Sequence, residues 1–210
     1  MFEWNGYVFS KGAAMKILCY GDSNTYGYDP RSFWGDPYPT EHRWVDILAR
    51  KLGCEAINAG QNGREVPRRK GEFLHFDRML AQQRPIDLLV IMLGTNDLLQ
   101  GNSAQEVSER MESFLSRIDP DQSNILLICP PPMKLGEWVT SRALIDASIE
   151  LSNEFKALSQ RLGIRFADAG NWDISLAFDG VHFTEEGHSA FAEGLFHELH
   201  KGDQLCLNPI

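Results

Sequence analysis

Short apolar segments alternate with longer amphipathic segments along most of the chain. Five apolar segments are rich in Ile, Leu and Val, which predicts buried strands over residues 15–21, 55–60, 86–94, 124–132 and 164–170. The amphipathic segments repeat their apolar residues with the period of a helix, which predicts helices over residues 41–53, 103–118, 140–163 and 184–202. Ser103 with Glu106 has the spacing of a capping box, and Gly53 and Gly163 are suited to end their helices.

The alternation of strand and helix predicts an α/β fold, with a parallel sheet covered by helices on both faces. No repeat, linker or low-complexity segment interrupts the pattern, so we expect one domain over residues 15–210. Residues 1–14 precede the first predicted strand and are expected to form an arm or extension. In such sheets, ligands bind beyond the carboxyl ends of the strands, which is where candidate functional residues are to be sought.

Composition and charge narrow the classes of function. The chain has 210 residues, is 43% hydrophobic and carries a formal net charge of −9, which disfavours binding to nucleic acid or to an anionic membrane. The basic run within residues 66–71 is interpreted as a solvated helix start. The first residues lack the pattern of a signal peptide and no apolar run approaches membrane-spanning length, so we expect a cytoplasmic protein.

Cysteine and histidine spacing gives no sign of a metal or redox centre. The four cysteines form no CxxC pair, and Cys19 and Cys129 lie in apolar runs where a thiol behaves as a small hydrophobe. The six histidines show neither HxxxH nor HxH spacing. We therefore predict no metal site and no cofactor.

Polar and ionisable residues follow four of the five predicted strands. They are Gly21-Asp22-Ser23-Asn24 after the first, Gly60 and Gly63 after the second, Gly94-Thr95-Asn96-Asp97 after the third, and Asp179 with His182 after the fifth. Each group taken alone is an ordinary turn or helix-capping sequence. Together they supply the residue types that acyl transfer through serine requires, because a nucleophile, a base and a carboxylate that orients the base are all present.

Ser23, His182 and Asp179 are the candidates for those three roles. The developing oxyanion needs neutral, preorganised donors, and the backbone N–H of Ser23, a backbone N–H beside Gly63 and the amide of Asn96 are candidates for these. Asp22 and Asp97 are interpreted as structural supports for the loops that carry Ser23 and Asn96.

The order of these blocks, Gly-Asp-Ser, Asn-x-x-x-x-Gly, Gly-x-Asn-Asp and Asp-x-x-His, resembles the SGNH (GDSL-type) hydrolase family of esterases over nearly all of residues 15–200. The stretches "IDLLVIMLGTND", "LLICPPP" and "DGVHFTEEGH" are similar to the bacterial arylesterase/acyltransferase branch. The resemblance implies a three-layer, flavodoxin-like fold with a five-stranded parallel sheet, a serine esterase mechanism and assembly into a homo-oligomer.

By the same motifs, the resemblance implies that Ser23 is the nucleophile, His182 the base and Asp179 its orienter. Gly63 and Asn96 would be the oxyanion-hole partners, with Gly63 favoured over Gly60 by its distance from the preceding asparagine. Relatives often carry an apolar residue at the position that Asn24 occupies here.

The substrate is expected to be a small ester with a short acyl chain, acetyl to butyryl, on an alcohol, aryl or sugar leaving group. Candidate pocket residues are Asn24, Trp34, Trp138 and Trp172, although Trp34 and Trp138 are equally suited to surface or oligomer contacts. A carbohydrate acetylesterase would use the same catalytic residues, since pocket shape makes the difference.

Two further classes of function remain open. A flavin-binding electron carrier fits the sheet and the sequence "SNTYG" after the first strand, but it gives Asp179 and His182 no task. A carbohydrate-binding protein on an esterase scaffold is disfavoured because the serine, asparagine, aspartate and histidine are all retained.

Overall fold

The computed structural model describes residues 2–4, 7–9, 15–118 and 124–204. Within the predicted arm, strand β1 (Phe2–Trp4) pairs in antiparallel fashion with β2 (Tyr7–Phe9). The remainder of residues 1–14, and with it most of the predicted arm, lies outside the described residues, as does Cys206.

Five parallel strands form the central sheet, as predicted. They are β3 (Lys16–Gly21), β4 (Glu55–Gly60), β5 (Leu88–Met92), β6 (Ile125–Cys129) and β7 (Arg165–Asp168), arranged in the order β4-β3-β5-β6-β7. Every residue of β5 and β6 is buried, because helices cover both faces of the sheet. The predicted runs were longer than the strands because the apolar pattern continues into the loops at their ends.

Seven α-helices accompany the sheet in the described part of the chain. They are α1 (Ser23–Tyr26), α2 (Trp44–Leu52), α3 (Lys70–Gln83), α4 (Thr95–Leu99), α5 (Ala104–Leu115), α6 (Arg142–Leu162) and α7 (Glu185–Gln204). The four predicted helices are confirmed, and α3 begins within the basic run that was interpreted as a helix start. The predicted capping box is present, since the backbone N–H of Ser103 donates to Glu106 at 2.7 Å and the N–H of Glu106 donates to the Ser103 hydroxyl at 3.2 Å.

Two apolar clusters, one on each face of the sheet, give the molecule three layers. Along β3 the side chains alternate, so Leu18 belongs to one cluster and Cys19 to the other. The first cluster contains residues of α3, α5 and α6, and the second contains residues of α2 and α7. Cys19 and Cys129 are fully buried, as expected of thiols that pack as hydrophobes.

The strand order fixes where a ligand site can form. The chain leaves β3 towards its neighbour β4 on one side, and returns to β5 on the other side of β3. This reversal of strand order opens a crevice at the carboxyl ends of β3 and β5. Ser23 and Asn96 lie directly after these two strands. None of the described helices is both long enough and apolar enough to cross a membrane.

Candidate active site

Ser23 is the first residue of α1 and is held by a cap and by close packing. The Asp22 carboxylate accepts a hydrogen bond from the backbone N–H of Asn24 at 2.9 Å, which caps the helix. On the β4 side, Gly60 has no side chain, and a Cβ built there would lie 2.0 Å from the backbone nitrogen of Tyr26. The turn that carries Ser23 therefore lies directly against the backbone of the second strand of the sheet.

His182 and Asp179 reach Ser23 from the loop that precedes α7. The Nε2 atom of His182 lies 2.9 Å from the hydroxyl oxygen of Ser23, and its Nδ1 atom lies 2.7 Å from Oδ2 of Asp179. The other oxygen of Asp179 accepts the backbone N–H groups of Val181 and His182, both at 2.9 Å. The structure thus joins the three residues that the motifs singled out, although 159 positions separate serine from histidine.

This relay is shielded from water. Ser23 is 6% exposed and His182 is 2% exposed. The imidazole lies between two aromatic rings, with the Tyr28 centroid at 4.5 Å and the Trp138 centroid at 4.9 Å. Burial alone would raise the pKa of Asp179, but hydrogen bonds from the His182 ring and from two backbone N–H groups outweigh it, so the pKa is lowered. Asp179 is therefore ionised at neutral pH and favours a proton on Nδ1 of His182.

The candidate oxyanion donors surround the same strand ends. Gly63 lies in an exposed turn after β4 with a positive φ of 72°, a conformation that strains residues with a Cβ. The amide nitrogen of Asn96 donates to the carbonyl of Arg64 at 3.0 Å, which leaves its second N–H for a ligand. Arg64 in turn donates to the carbonyl of Gly21, two residues before Ser23, at 2.7 Å.

Asp97 follows Asn96 in the chain and connects α4 to the loop after β4. Its carboxylate is completely buried, accepts the backbone N–H of Val66 at 2.9 Å and pairs with Arg110 at 3.0 Å. Burial raises the pKa of Asp97, and the bonds to Val66 and Arg110 offset this only in part. Asp97 thereby ties the loop after β5 to the loop after β4.

Asp22 is also buried and caps α1. Burial raises the pKa of Asp22 to about 6, against opposing contributions from the Asn24 N–H and from His182.

The structure places the candidate pocket residues in different surroundings. Trp138 is 49% exposed and contacts the His182 ring edge to face, so it forms a wall of the site. Trp34 is 84% exposed, and its ring contacts Phe33 rather than His182. The expectation that Trp34 lines the pocket is not what the structure shows, because the loop that carries it turns this ring to solvent.

Trp172 and Asn24 also need correction. Trp172 packs on Phe191 and over Gly194, so it belongs to the core beneath α7. Asn24 is 4% exposed and both atoms of its amide bind backbone groups, so its side chain is buried between α1 and the loop that carries His182 rather than lining a pocket. The type of a single residue in a loop does not show whether its side chain points into the core, into a pocket or into solvent.

Two residues near the relay were not singled out from the sequence. Tyr28 packs on His182, and Arg64 stacks on the Tyr20 ring at 4.1 Å while its guanidinium binds carbonyl groups at the ends of β3 and β4. The sequence pointed to these two residues only through their closeness along the chain to predicted site residues. Tyr28 lies five positions after Ser23, and Arg64 directly follows Gly63. A cleft of about 450 Å³ adjoins Gly63 and is lined by polar groups that include Arg68, Glu72 and His75.

Comparison with known proteins shows the family of this chain. A profile of the GDSL-like lipase/acylhydrolase family matches residues 19–190. The chain therefore belongs to the GDSL-like lipase/acylhydrolase family. No curated protein sequence is significantly similar to it.

Solved structures of related enzymes share the whole fold. A protein of Agrobacterium tumefaciens assigned as an arylesterase is 26% identical, with 89% of this chain and 99% of that chain covered and a TM-score of 0.79. A carbohydrate acetylesterase of Sinorhizobium meliloti is 25% identical, with 89% and 99% covered and a TM-score of 0.79. The aryl esterase of M. smegmatis is 25% identical, with 90% and 99% covered and a TM-score of 0.78.

Proposed function

We propose that the protein is a serine esterase that removes short acyl groups, such as acetyl, from small esters through an acyl-enzyme on Ser23. The observation that carries the proposal is the continuous hydrogen-bonded series from the Ser23 hydroxyl through His182 to Asp179. Membership of an acylhydrolase family supports the reaction class. A flavin carrier is not retained, because this buried relay would have no task in it.

The first step is attack by serine on the ester carbonyl. Neutral His182 accepts the hydroxyl proton on Nε2 as the Ser23 oxygen bonds to the carbonyl carbon. Asp179 keeps the other ring nitrogen protonated and stabilises the imidazolium that forms. Because two backbone N–H groups hold Asp179, its carboxylate need not reorient during the proton transfer.

The carbonyl oxygen becomes negative in that step and needs donors. We propose that the backbone N–H groups of Ser23 and Gly63 and the free N–H of Asn96 provide them. The contact between Asn96 and the Arg64 carbonyl supports this assignment, since it places the Asn96 amide beside the Gly63 turn before substrate arrives.

The second half of the reaction reverses the proton path. His182 gives its proton to the leaving alcohol as the ester C–O bond breaks, which leaves the acyl group on Ser23. Water or a second alcohol then attacks the acyl-enzyme and gives a proton to His182, which returns it to the Ser23 oxygen as the acyl–serine bond breaks. Transfer to an alcohol would make the protein an acyltransferase, and the same residues serve both outcomes.

The surroundings of His182 suggest what the leaving group is. The departing oxygen must approach Nε2, and the rings of Tyr28 and Trp138 flank that imidazole. An aryl or other flat, apolar alcohol would bury area against them. The polar cleft beside Gly63 favours the second candidate, a carbohydrate acetylesterase, because its charged and imidazole groups could bind sugar hydroxyls.

Hydrolysis of p-nitrophenyl acetate by the purified protein and by Ser23→Ala tests the proposal. We expect turnover that vanishes in the variant while its circular dichroism is unchanged. Equal turnover in both proteins would remove Ser23 from the mechanism. Phenyl acetate and acetylated xylose, compared by kcat/KM, then separate the aryl esterase from the carbohydrate acetylesterase, and an acyl series from acetyl to octanoyl tests the preference for short chains.

A further inference from the structure

The side chain of Asn24 connects the nucleophile segment to the histidine loop. Its amide nitrogen donates to the carbonyl of Val181 at 3.1 Å, and its amide oxygen accepts the N–H of Phe183 at 2.9 Å. Val181 and Phe183 are the two neighbours of His182 in the chain. One side chain, adjacent to Ser23, therefore holds the backbone on both sides of the proposed base.

The backbone of Asn24 is fixed as well. Its N–H donates to the Asp22 carboxylate at 2.9 Å, and its carbonyl accepts the indole N–H of the fully buried Trp44 at 2.9 Å. The residue is thus attached to the cap of α1, to α2 and to the histidine loop. Because these bonds hold Asn24 in place, a shift of α1 would also shift the loop that carries His182.

We infer that Asn24 is a positioning residue that sets the distance between the Ser23 hydroxyl and the His182 ring, a role that rests on the proposed esterase function. Ser23 and His182 lie on segments that are remote in sequence, so their 2.9 Å contact depends on how closely α1 and the loop approach each other. Asn24 binds the loop through two hydrogen bonds placed symmetrically about His182.

In this chain, the amide satisfies two buried backbone groups that an apolar residue would leave unpaired. The Val181 carbonyl needs a donor and the Phe183 N–H needs an acceptor, and both residues are buried, at 5% and 0% exposure. Leucine has a similar shape but offers neither group, and aspartate when ionised offers only acceptors. Leaving buried backbone groups without partners would let the loop move to find others.

The decisive variant is Asn24→Leu, assayed on p-nitrophenyl acetate beside the parent protein and Ser23→Ala. We expect kcat to fall about 10²-fold with KM within about twofold, because displacement of the base by a fraction of an ångström disrupts the reacting geometry without removing a substrate contact. A kcat within about twofold of the parent would overturn the inference.

Asn24→Asp supplies a readout that loss of stability alone would not change. A protonated aspartic acid can donate to the Val181 carbonyl and accept from Phe183, whereas its ionised form repels the carbonyl. The ratio of parent to variant kcat should therefore rise with pH, from a few-fold at about pH 5 to about 10²-fold at about pH 9. The ionisable groups around this position are Asp22, Asp179, His182, Arg43 next to Trp44, and His188, whose ring lies 5.3 Å from Phe183.

Ser148→Ala is the matched control. Ser148 is 6% exposed, accepts the Met133 N–H at 3.0 Å and donates to the Ile145 carbonyl at 2.7 Å, so it too satisfies buried backbone groups. We expect it to lower the thermal unfolding midpoint about as much as Asn24→Leu, with kcat within about twofold of the parent. An equal loss of kcat in both, or a pH-independent ratio for Asn24→Asp, would reduce Asn24 to a purely structural residue. Turnover that survives in Ser23→Ala would instead refute the esterase proposal itself.

Discussion

Two buried aspartates, Asp179 and Asp97, organise the two sides of the candidate site in different ways. Asp179, on the acid–base side, accepts hydrogen bonds from its own loop and from the ring of His182. Asp97, on the oxyanion side, accepts the N–H of Val66 and pairs with Arg110. Asp179 thus contacts a residue proposed to react, whereas Asp97 positions one loop against another.

Their ionisation differs accordingly. Burial is the largest influence on both carboxyls and raises the pKa, but the hydrogen bonds at Asp179 reverse its effect and those at Asp97 do not. The site therefore stabilises the charge on the carboxylate that must face an imidazolium. On the other side, burial keeps the pKa of Asp97 raised despite its bonds to Val66 and Arg110, so the proposed oxyanion must rely on neutral N–H donors rather than on a charged neighbour.

The largest expected effect is on the acid–base side. In Asp179→Asn the amide oxygen can still accept the two backbone N–H groups, so the fold should persist. Its NH₂ group would then face Nδ1 of His182 and favour the tautomer that carries a proton on Nε2, which cannot accept one from Ser23. We expect kcat to fall about 10⁴-fold. Steady-state kinetics with circular dichroism measures this, and a loss below tenfold would mean that Asp179 does not set the tautomer of His182.

Asn96→Ala tests the oxyanion side and should cost less. Removing one donor from an oxyanion hole reduces turnover about 10²–10³-fold. Because Asn96 is only half-buried and binds the Arg64 carbonyl, thermal stability should change little. Full activity in this variant would mean that the oxyanion rests on other groups.

Gly60 ends β4 and Gly63 lies in the turn that follows, and the two glycines differ in how closely other atoms approach them. Gly60→Ala should destabilise the protein by about 3 kcal/mol or more, because its Cβ would overlap the backbone of Tyr26. Gly63→Ala meets no atom within 4 Å and should cost only about 1–2 kcal/mol for its positive φ. Chemical denaturation measures both, and equal costs would show that the Gly63 turn is packed as tightly as Gly60.

Asp22→Asn should have the smallest effect, because an amide oxygen can still cap α1. We expect activity within about tenfold of the parent, a loss smaller than that of one oxyanion donor. Folding raises the pKa of Asp22 from 3.8 to about 6, so the folded state binds this proton more tightly than the unfolded state does. Its contribution to stability is complete below the lower value and declines as pH rises through the higher one.

Thermal unfolding of parent and variant between about pH 4 and pH 8 tests the sign of that linkage. The unfolding midpoint of Asp22→Asn should rise relative to that of the parent as pH rises. A difference that does not vary with pH would mean that Asp22 ionises normally, and complete loss of activity would give it a role in the chemistry.

Much of the site could be predicted because its residues follow strands. The strands and helices were evident from periodicity, and parallel strands bring their carboxyl ends to one edge, so Ser23, Asn96 and His182 could be expected to approach one another. The support roles of Asp22 and Asp97 stay predictions, and the hydrogen bonds of both carboxylates to backbone N–H groups are compatible with them. Trp34 and Trp172 were misplaced because an aromatic residue in a loop is equally compatible with solvent, a pocket and the core.

Asn24 is an example of a residue whose contacts could not be predicted from the sequence. The chain by itself determined the family, the order of the strands along it and the residue types available for chemistry, because these depend on local pattern and spacing. Only the tertiary structure decided that Asn24 binds both neighbours of His182 in the chain. It also decided that Tyr28 and Trp138 contact the His182 ring, and that Arg64 joins the ends of β3 and β4. These contacts link segments far apart in sequence, and their distances follow from packing of the whole sheet and its helices, which no local pattern encodes.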